Sequence, residues 1–256
     1  MDKVLSEFEK SKQKLEERFK TEEYQKHCQY FILERDRLLR VAERFLTDVE
    51  QYKRAFEAAV VRKEYASGCK HLHRGYYCPS LIRDAVVGNV RRGKLLKRLT
   101  ARTKTCWEYG FNAEGQLICA ENLVTQAIAG EEYLLVATRE LLFYEGNCIY
   151  GITVCRDGTL EAITEEVFQD GKCICYTHCL CTVFDGRIDC IEISSERYIY
   201  EAETMQVQWH SLVIPSQKTL EFAKTMGLSI WSHPIYRRDQ YLFERKDGKL
   251  IWLENN

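Results

Sequence analysis

Phe143-Tyr-Glu-Gly146-Asn-Cys-Ile149, Cys155-Arg-Asp-Gly158-Thr-Leu160, Phe168-Gln-Asp-Gly171-Lys-Cys-Ile174 and Phe184-Asp-Gly186-Arg-Ile188 repeat one local grammar. Each copy sets a glycine, directly after an acidic residue, between two apolar runs. Asp-Gly is a strong hairpin signal, because the tight turn that matches strand twist needs positive φ, which glycine adopts without steric cost. Successive glycines lie 12, 13 and 15 residues apart. Subtracting the turns leaves strands of roughly ten residues with no helix-length connection between them, which disfavours parallel βαβ units and predicts an antiparallel up-and-down meander.

The same texture extends outward from about residue 105 to the end of the chain. Leu220, Phe222, Ala223 and Met226, ahead of Gly227, predict a late helix over 216–228 before a last hairpin at 240–254. Towards the N-terminus the pattern changes, since Val4 to Tyr65 contains no proline or glycine. Leu5, Phe8, Leu15 and Phe19 recur at helical spacing. Phe31, Leu38, Phe45, Tyr52 and Ala59 follow at intervals of seven, with Ala42, Val49 and Phe56 between them and Arg35 breaking the seam. Thr21, followed by Glu22 and Glu23, is placed to cap a second helix. A helical hairpin of about 2–20 and 22–65 is predicted, its seam used for packing on the rest of the chain or for a coiled-coil homodimer.

Between these parts, 67–104 holds ten Lys and Arg against the single acid Asp84. Ser67-Gly68 is a helix stop, Pro79 suits a first helical turn, and Ser80 to Val90 reads as a short amphipathic helix. A second helix from about Val90 would turn Leu95, Leu96 and Leu99 inward. The expectation is an α+β fold in three parts: an N-terminal helical hairpin over 1–66, a basic helical connector over 67–104, and a C-terminal antiparallel β-meander over 105–256 of seven to ten strands with one late helix.

With 256 residues, 45% of them hydrophobic, the chain can bury a sizeable core. No run of 18 apolar residues occurs and the first residues lack an apolar leader core, so a membrane span and a signal peptide are not expected and a cytoplasmic location is. The 12 cysteines then read as reduced thiols used as small hydrophobes. The formal charge of −1 hides a division: residues 1–104 carry 25 basic against 15 acidic groups, and 105–256 carry 12 against 23. Such a division bears on surfaces and partners.

At Tyr109-Gly-Phe111-Asn-Ala-Glu-Gly115-Gln-Leu117 the chain resembles the YD motif of RHS-type repeats. Tyr241-Leu-Phe243 with Asp247-Gly248-Lys-Leu250 is similar but two residues longer before its glycine. The resemblance covers 109–118 and 241–251. It implies a stacked hairpin sheet of the kind found near bacterial polymorphic toxins, including some of their immunity partners, and it carries over no catalytic residue.

Several constellations bear on chemistry. Gly88-Asn-Val-Arg-Arg-Gly93-Lys94 fits most of a phosphate-binding loop, but Leu95 stands where magnesium needs a hydroxyl. Cys69, His71, His73 and Cys78 offer four zinc-type ligands at a spacing foreign to zinc fingers and ribbons. Cys173, Cys175, Cys179 and Cys181 fall on one face of a predicted strand, with ligands roughly 7 Å apart at i, i+2, too far for one ion without help from Cys190 or Cys155. No catalytic residue, metal or cofactor is assigned, and an enzyme is not expected.

The function expected is non-enzymatic protein binding. The specific form is a bacterial immunity or antitoxin protein that covers a partner, such as a basic toxin domain, with its acidic sheet. Glu192, Glu196, Glu201 and Glu203 are the expected exposed acids, with Tyr198, Tyr200 and Trp209 as aromatic anchors. The alternative is nucleic-acid binding through 83–104, using Arg83, Arg91, Arg92, Lys94, Lys97, Arg98 and Arg102. The protein would be a monomer or a helix-mediated homodimer.

Overall fold

The computed structural model describes residues 13–14, 16–68, 73–82, 92–100, 103–184, 187–226, 234–246 and 249–253. Its frame is one open antiparallel sheet of twelve strands. These are β1 (Arg62–Ser67), β2 (Lys94–Leu96), β3 (Thr105–Phe111), β4 (Leu117–Ile128), β5 (Glu131–Glu145), β6 (Cys148–Cys155), β7 (Leu160–Gln169), β8 (Lys172–Phe184), β9 (Arg187–Tyr200), β10 (Thr204–Val213), β11 (Ile235–Lys246) and β12 (Lys249–Leu253). From β3 to β12 spatial order follows chain order, while β1 lies beside β3 and β2 forms the edge beyond it. Gly146, Gly158 and Gly171 take positive φ in the turns, as the Asp-Gly grammar requires.

The expected helical-hairpin α+β plan is corrected by this sheet. Helix α1 (Glu22–Leu46) is capped by Thr21, whose side chain accepts from the Tyr24 amide at 3.3 Å. The chain then breaks, resumes as α2 (Val49–Ala59) and turns extended at Val60. Residues 62–65, expected to be helical, are strand: Arg62 to Ala66 pair with Phe111 back to Trp107. The β-branched pair Val60-Val61 ends the helix readily, and Gly110, which has no Cβ, leaves room for the Val60 side chain against the sheet. The basic connector is not helical over its described 92–100 either, since Lys94, Leu95 and Leu96 pair with Ser67, Ala66 and Tyr65. Residues 83–91, and with them most of the helix expected over 80–90, lie outside the described residues. The late helix α3 (Gln217–Met226) joins β10 to β11.

The seam of α1 and α2 is spent on the sheet. Phe31, Leu38, Ala42 and Phe45 are buried with Ile152, Ile163, Cys179, Ile193 and Leu212 in one core. Phe45 stacks on Phe143 with centroids 3.8 Å apart, and Tyr52 and Phe56 meet the same ring edge-on. Phe31, Leu38, Phe45, Tyr52 and Phe56 of that seam thus have partners within the chain, the first of the two uses expected of it. Towards the β11 end of the same face Tyr24 donates to the Pro234 carbonyl at 2.7 Å and accepts from the Tyr236 amide at 2.9 Å.

Leu38 is fully buried where α1 crosses the sheet. Leu38→Ala should lower the free energy of unfolding by about 3 kcal/mol, read by urea denaturation. An unchanged midpoint would contradict the packing of α1 on the sheet.

Candidate functional site

Alternation along the strands divides the side chains between a helix face, under α1 and α2, and an opposite face. Residues 73–82 cross that second face as a strap, held by buried ionic residues together with apolar contacts of Cys78 and Ile82. Arg74, in the left-handed region at φ 55° and only 3% exposed, spans β5 and β7 with its guanidinium. Its Nε and Nη2 donate to the two carboxylate oxygens of Glu140 at 3.0 and 2.7 Å, and Nη2 also reaches Thr164 Oγ1 at 3.2 Å. Its Nη1 pairs with Glu166. Glu140 is 1% exposed. Burial by itself raises the Glu140 pKa, but the charges of Arg74 and His73, with the hydrogen bonds of Arg74 and Thr164, hold it below the ordinary carboxylate range.

Gly151 makes this arrangement possible. It faces Glu140 and Thr164 from β6, and a Cβ there would collide with both side-chain oxygens. A lone glycine inside the apolar run Ile149 to Val154 is the sequence signal of such a close approach.

His73 extends the cluster. Its Nδ1 lies 3.2 Å from the Tyr176 hydroxyl, and its Nε2 lies 3.4 Å from both Thr153 Oγ1 and Glu140 Oε2. Its ring meets that of His178 edge-on at 5.0 Å. Of the expected zinc-type group, His73 is thus engaged with the sheet, Cys78 is buried with Trp107 and Tyr109, and Cys69 and His71 lie outside the described residues.

The strap's second anchor is Glu196. It was expected to be an exposed acid, but it is 5% exposed and accepts hydrogen bonds from the amides of Leu81 and Ile82 at 3.0 and 3.4 Å and from Ser80 Oγ. Burial raises its pKa against these hydrogen bonds. Tyr198, expected as an anchor for a partner, is buried too, its hydroxyl placed between Glu196 at 2.8 Å and the Pro79 carbonyl at 3.3 Å. Tyr200 and Trp209 are half-buried in the same apolar cluster, and the Tyr200 hydroxyl donates to the Cys173 carbonyl at 2.7 Å. Glu192 is half-buried, while Glu201 and Glu203 stand exposed on the β9–β10 turn.

Arg92, expected to meet phosphates, instead donates to the strap carbonyls of Tyr76 at 3.3 Å, Ser80 at 2.8 Å and Cys78. Lys94, Lys97 and Arg98 remain on or beside the edge strand, Lys94, Lys97 and Arg98 being exposed. Arg83, Arg91 and Arg102 lie outside the described residues.

On the helix face the cysteine strand also differs from simple alternation. A bulge in β8 pairs Cys175 with Val167 and Cys173 with Phe168, so Ile174 is the extra residue and Cys173 turns to the strap face. Cys175, Cys179 and Cys181 stay on the helix face. Cys190 on β9 joins the last two, and the three Sγ atoms lie within 4.8 Å of one another. The Cys190 thiol is held low by hydrogen bonds from its two neighbours and by the charge of Arg35, and its neighbours' thiols are pushed up.

A third polar locus is a cleft of about 190 Å³ between α2 and β1, β3, β4 and β5. Its charges pair off, Arg139 with Glu57 at 2.9 Å and with Glu121, and Lys63 with Glu108 at 2.5 Å.

No family model matches this chain, and no curated protein matches it. Among solved structures it is similar to a porin-like protein from Bacteroides uniformis, at 9% identity over 58% of this chain and 87% of that one, with a TM-score of 0.23. A likeness at that level supports no argument about fold or function. No helix among the described residues is long and apolar enough to cross a membrane.

Arg74→Met would leave Glu140 and Glu166 buried without their cation, and should cost about 3–5 kcal/mol at neutral pH. The pH dependence carries a sign. A carboxylate depressed in the folded state contributes stability above its unfolded pKa, and loses it as pH falls through the folded value. Wild-type stability should therefore fall on acidification below about pH 4.5, whereas Arg74→Met should gain stability as the stranded Glu140 protonates. Parallel slopes in urea titrations from pH 7 to pH 4 would refute the lock.

Proposed function

We propose that this protein is a non-enzymatic protein-binding module that receives a basic partner on one end of its sheet. The observation that carries the reading is a row of exposed acids. In an antiparallel meander every second turn falls at the same end, and the turns β3–β4, β5–β6, β7–β8 and β9–β10 carry Glu114, Glu145, Asp170, Glu201 and Glu203, all exposed. Turns two strands apart are about 9–10 Å apart, so the row extends about 29 Å. Among the residues whose side chains are described, Lys172, Arg44 and Arg62 are basic groups near it; Arg44 pairs with Glu145 at 3.2 Å, Lys172 lies over the Tyr200 ring and Arg62 over Phe111, and the β11–β12 turn at the same end is flanked by Lys246 and Lys249. A one-signed row of this length speeds encounter with an oppositely charged surface and fixes its register.

The acids named from sequence are revised accordingly. Glu201 and Glu203 stay in the contact set, and Glu196 leaves it for the strap. The finer form of the reading is an immunity-type protein that covers the basic surface of a toxin domain; its support is the likeness of the 109–118 and 241–251 hairpins to YD repeats. A bacterial, cytoplasmic setting goes with that form, and the high cysteine content suits a reducing compartment. Nucleic-acid binding is the second reading, favoured by the exposed Lys94, Lys97 and Arg98 beside the edge strand.

Two variants separate the readings in a capture from host lysate, run over a salt series with and without nuclease. Joint reversal of Glu114, Asp170, Glu201 and Glu203 to lysine should abolish capture of a nuclease-resistant partner protein and slow association with it about ten-fold or more at low salt. Unaltered capture and kinetics would sink the acidic-end reading. Loss of co-purifying nucleic acid on reversing Lys94, Lys97 and Arg98 would move the function to the basic edge.

A further inference from the structure

We propose that Cys179, Cys181 and Cys190 form a buried three-thiolate site for a soft monovalent d10 cation, copper(I). The site is independent of the acidic turns and of the strap. Cys179 and Cys181 share the helix face of β8, and Cys190 reaches them from β9. The register explains how. Leu180 pairs with Glu192 but Cys181 pairs with Cys190, so Ile191 is an extra residue on β9. That bulge draws Cys190 back along the ladder to a position opposite Cys181, with its Sγ 2.7 Å from that of Cys179. All three sulfurs lie within 4.8 Å of one another, and each residue is buried.

A metal–thiolate bond of about 2.3 Å places sulfurs about 3.8–4.0 Å apart in a three-thiolate shell, inside the 4.8 Å span of the three Sγ atoms. Thiolates select soft ions such as copper(I) and zinc. Structural zinc takes four ligands, and among the described residues no fourth His, Cys, Asp or Glu joins this group. Leu38, Ile163, Ile193 and Leu212 belong to the same core and keep water out. Three thiolates and one monovalent ion leave negative charge in that core, and Arg35 on α1, whose charge acts on Cys190, offsets part of it. On binding, the thiol protons leave to solvent as the sulfur–metal bonds form, with no change in oxidation state. Cys181 and Cys190 lie three residues from the ends of β8 and β9, at Phe184 and Arg187, so the path for an ion is short.

The test uses the full chain, prepared anaerobically under reductant and titrated with copper(I) against a chromophoric copper(I) chelator, with zinc titrated in parallel. The expected result is one tightly held copper(I) per chain. Loading should protect Cys179, Cys181 and Cys190 from alkylation, read by peptide mass spectrometry on wild-type protein, so the outcome does not depend on a variant folding. Cys190→Ser and Cys181→Ser should weaken copper(I) binding by about 100-fold or more, while Cys28→Ala, in the same core but outside the trio, should leave it unchanged. Absence of stoichiometric copper(I), binding retained in Cys190→Ser, zinc held more tightly than copper(I), or a Cys179–Cys190 disulfide that persists under reductant would each overturn the proposal.

Discussion

The pairing of Arg74 with Glu140 and Glu166 is the interaction on which the second face of the sheet depends. A twelve-stranded single layer has two sides to cover. One receives a helix layer whose apolar seam supplies ordinary hydrophobic burial. Among the described residues the other receives a short strap, residues 73–82, too few to cover a sheet by apolar area. The strap is therefore held by directional contacts: a bidentate guanidinium at one end and the Glu196 carboxylate on backbone amides at the other. Buried charges are tolerable there because each has a partner in place.

This division has consequences for where recognition can occur. Acids that a strand reading would place at the surface are consumed in holding the strap, and Arg92 is consumed in satisfying its carbonyls. What remains at the surface is set by topology. Alternate turns of a meander accumulate at one end, so residues far apart in the chain, from Glu114 to Glu203, form a single row. The basic excess of the first half is likewise dispersed, part on the helices that cover the sheet, as with Arg37 donating to Glu165 at 2.9 and 2.6 Å, and part on the edge strand.

Bulges recur in the sheet and alter faces where they fall. Pairing irregularities occur between β3 and β4, β4 and β5, β5's neighbour β6 and β7, β7 and β8, and β8 and β9. Two of them decide the cysteine cluster, one turning Cys173 away from Cys175 and the other bringing Cys190 to Cys179. A period of two counted along the sequence is correct only between bulges.

What the sequence determined by itself was local. Asp-Gly turns between apolar runs specify hairpins because positive φ is a property of a few residues, and Thr21 with its acids specifies a helix start because the cap is built from neighbours. The heptad seam at Phe31, Leu38 and Phe45 was also legible as a face needing cover. Its partner was not, since the same stripe suits a second helix or a sheet, and only the folded chain sets it against Phe143 and Ile163. Tertiary structure alone decided that 62–65 would leave the helix for an edge of the sheet, where pairing with 108–111 outweighs local helix propensity. It also decided the polar sites. Arg74, Glu140, Glu166 and Gly151 are ordinary residues in sequence, apart from the lone glycine, and Cys190 stands on a different strand from Cys179. Their chemistry arises from register and burial, which depend on contacts between segments distant in the chain.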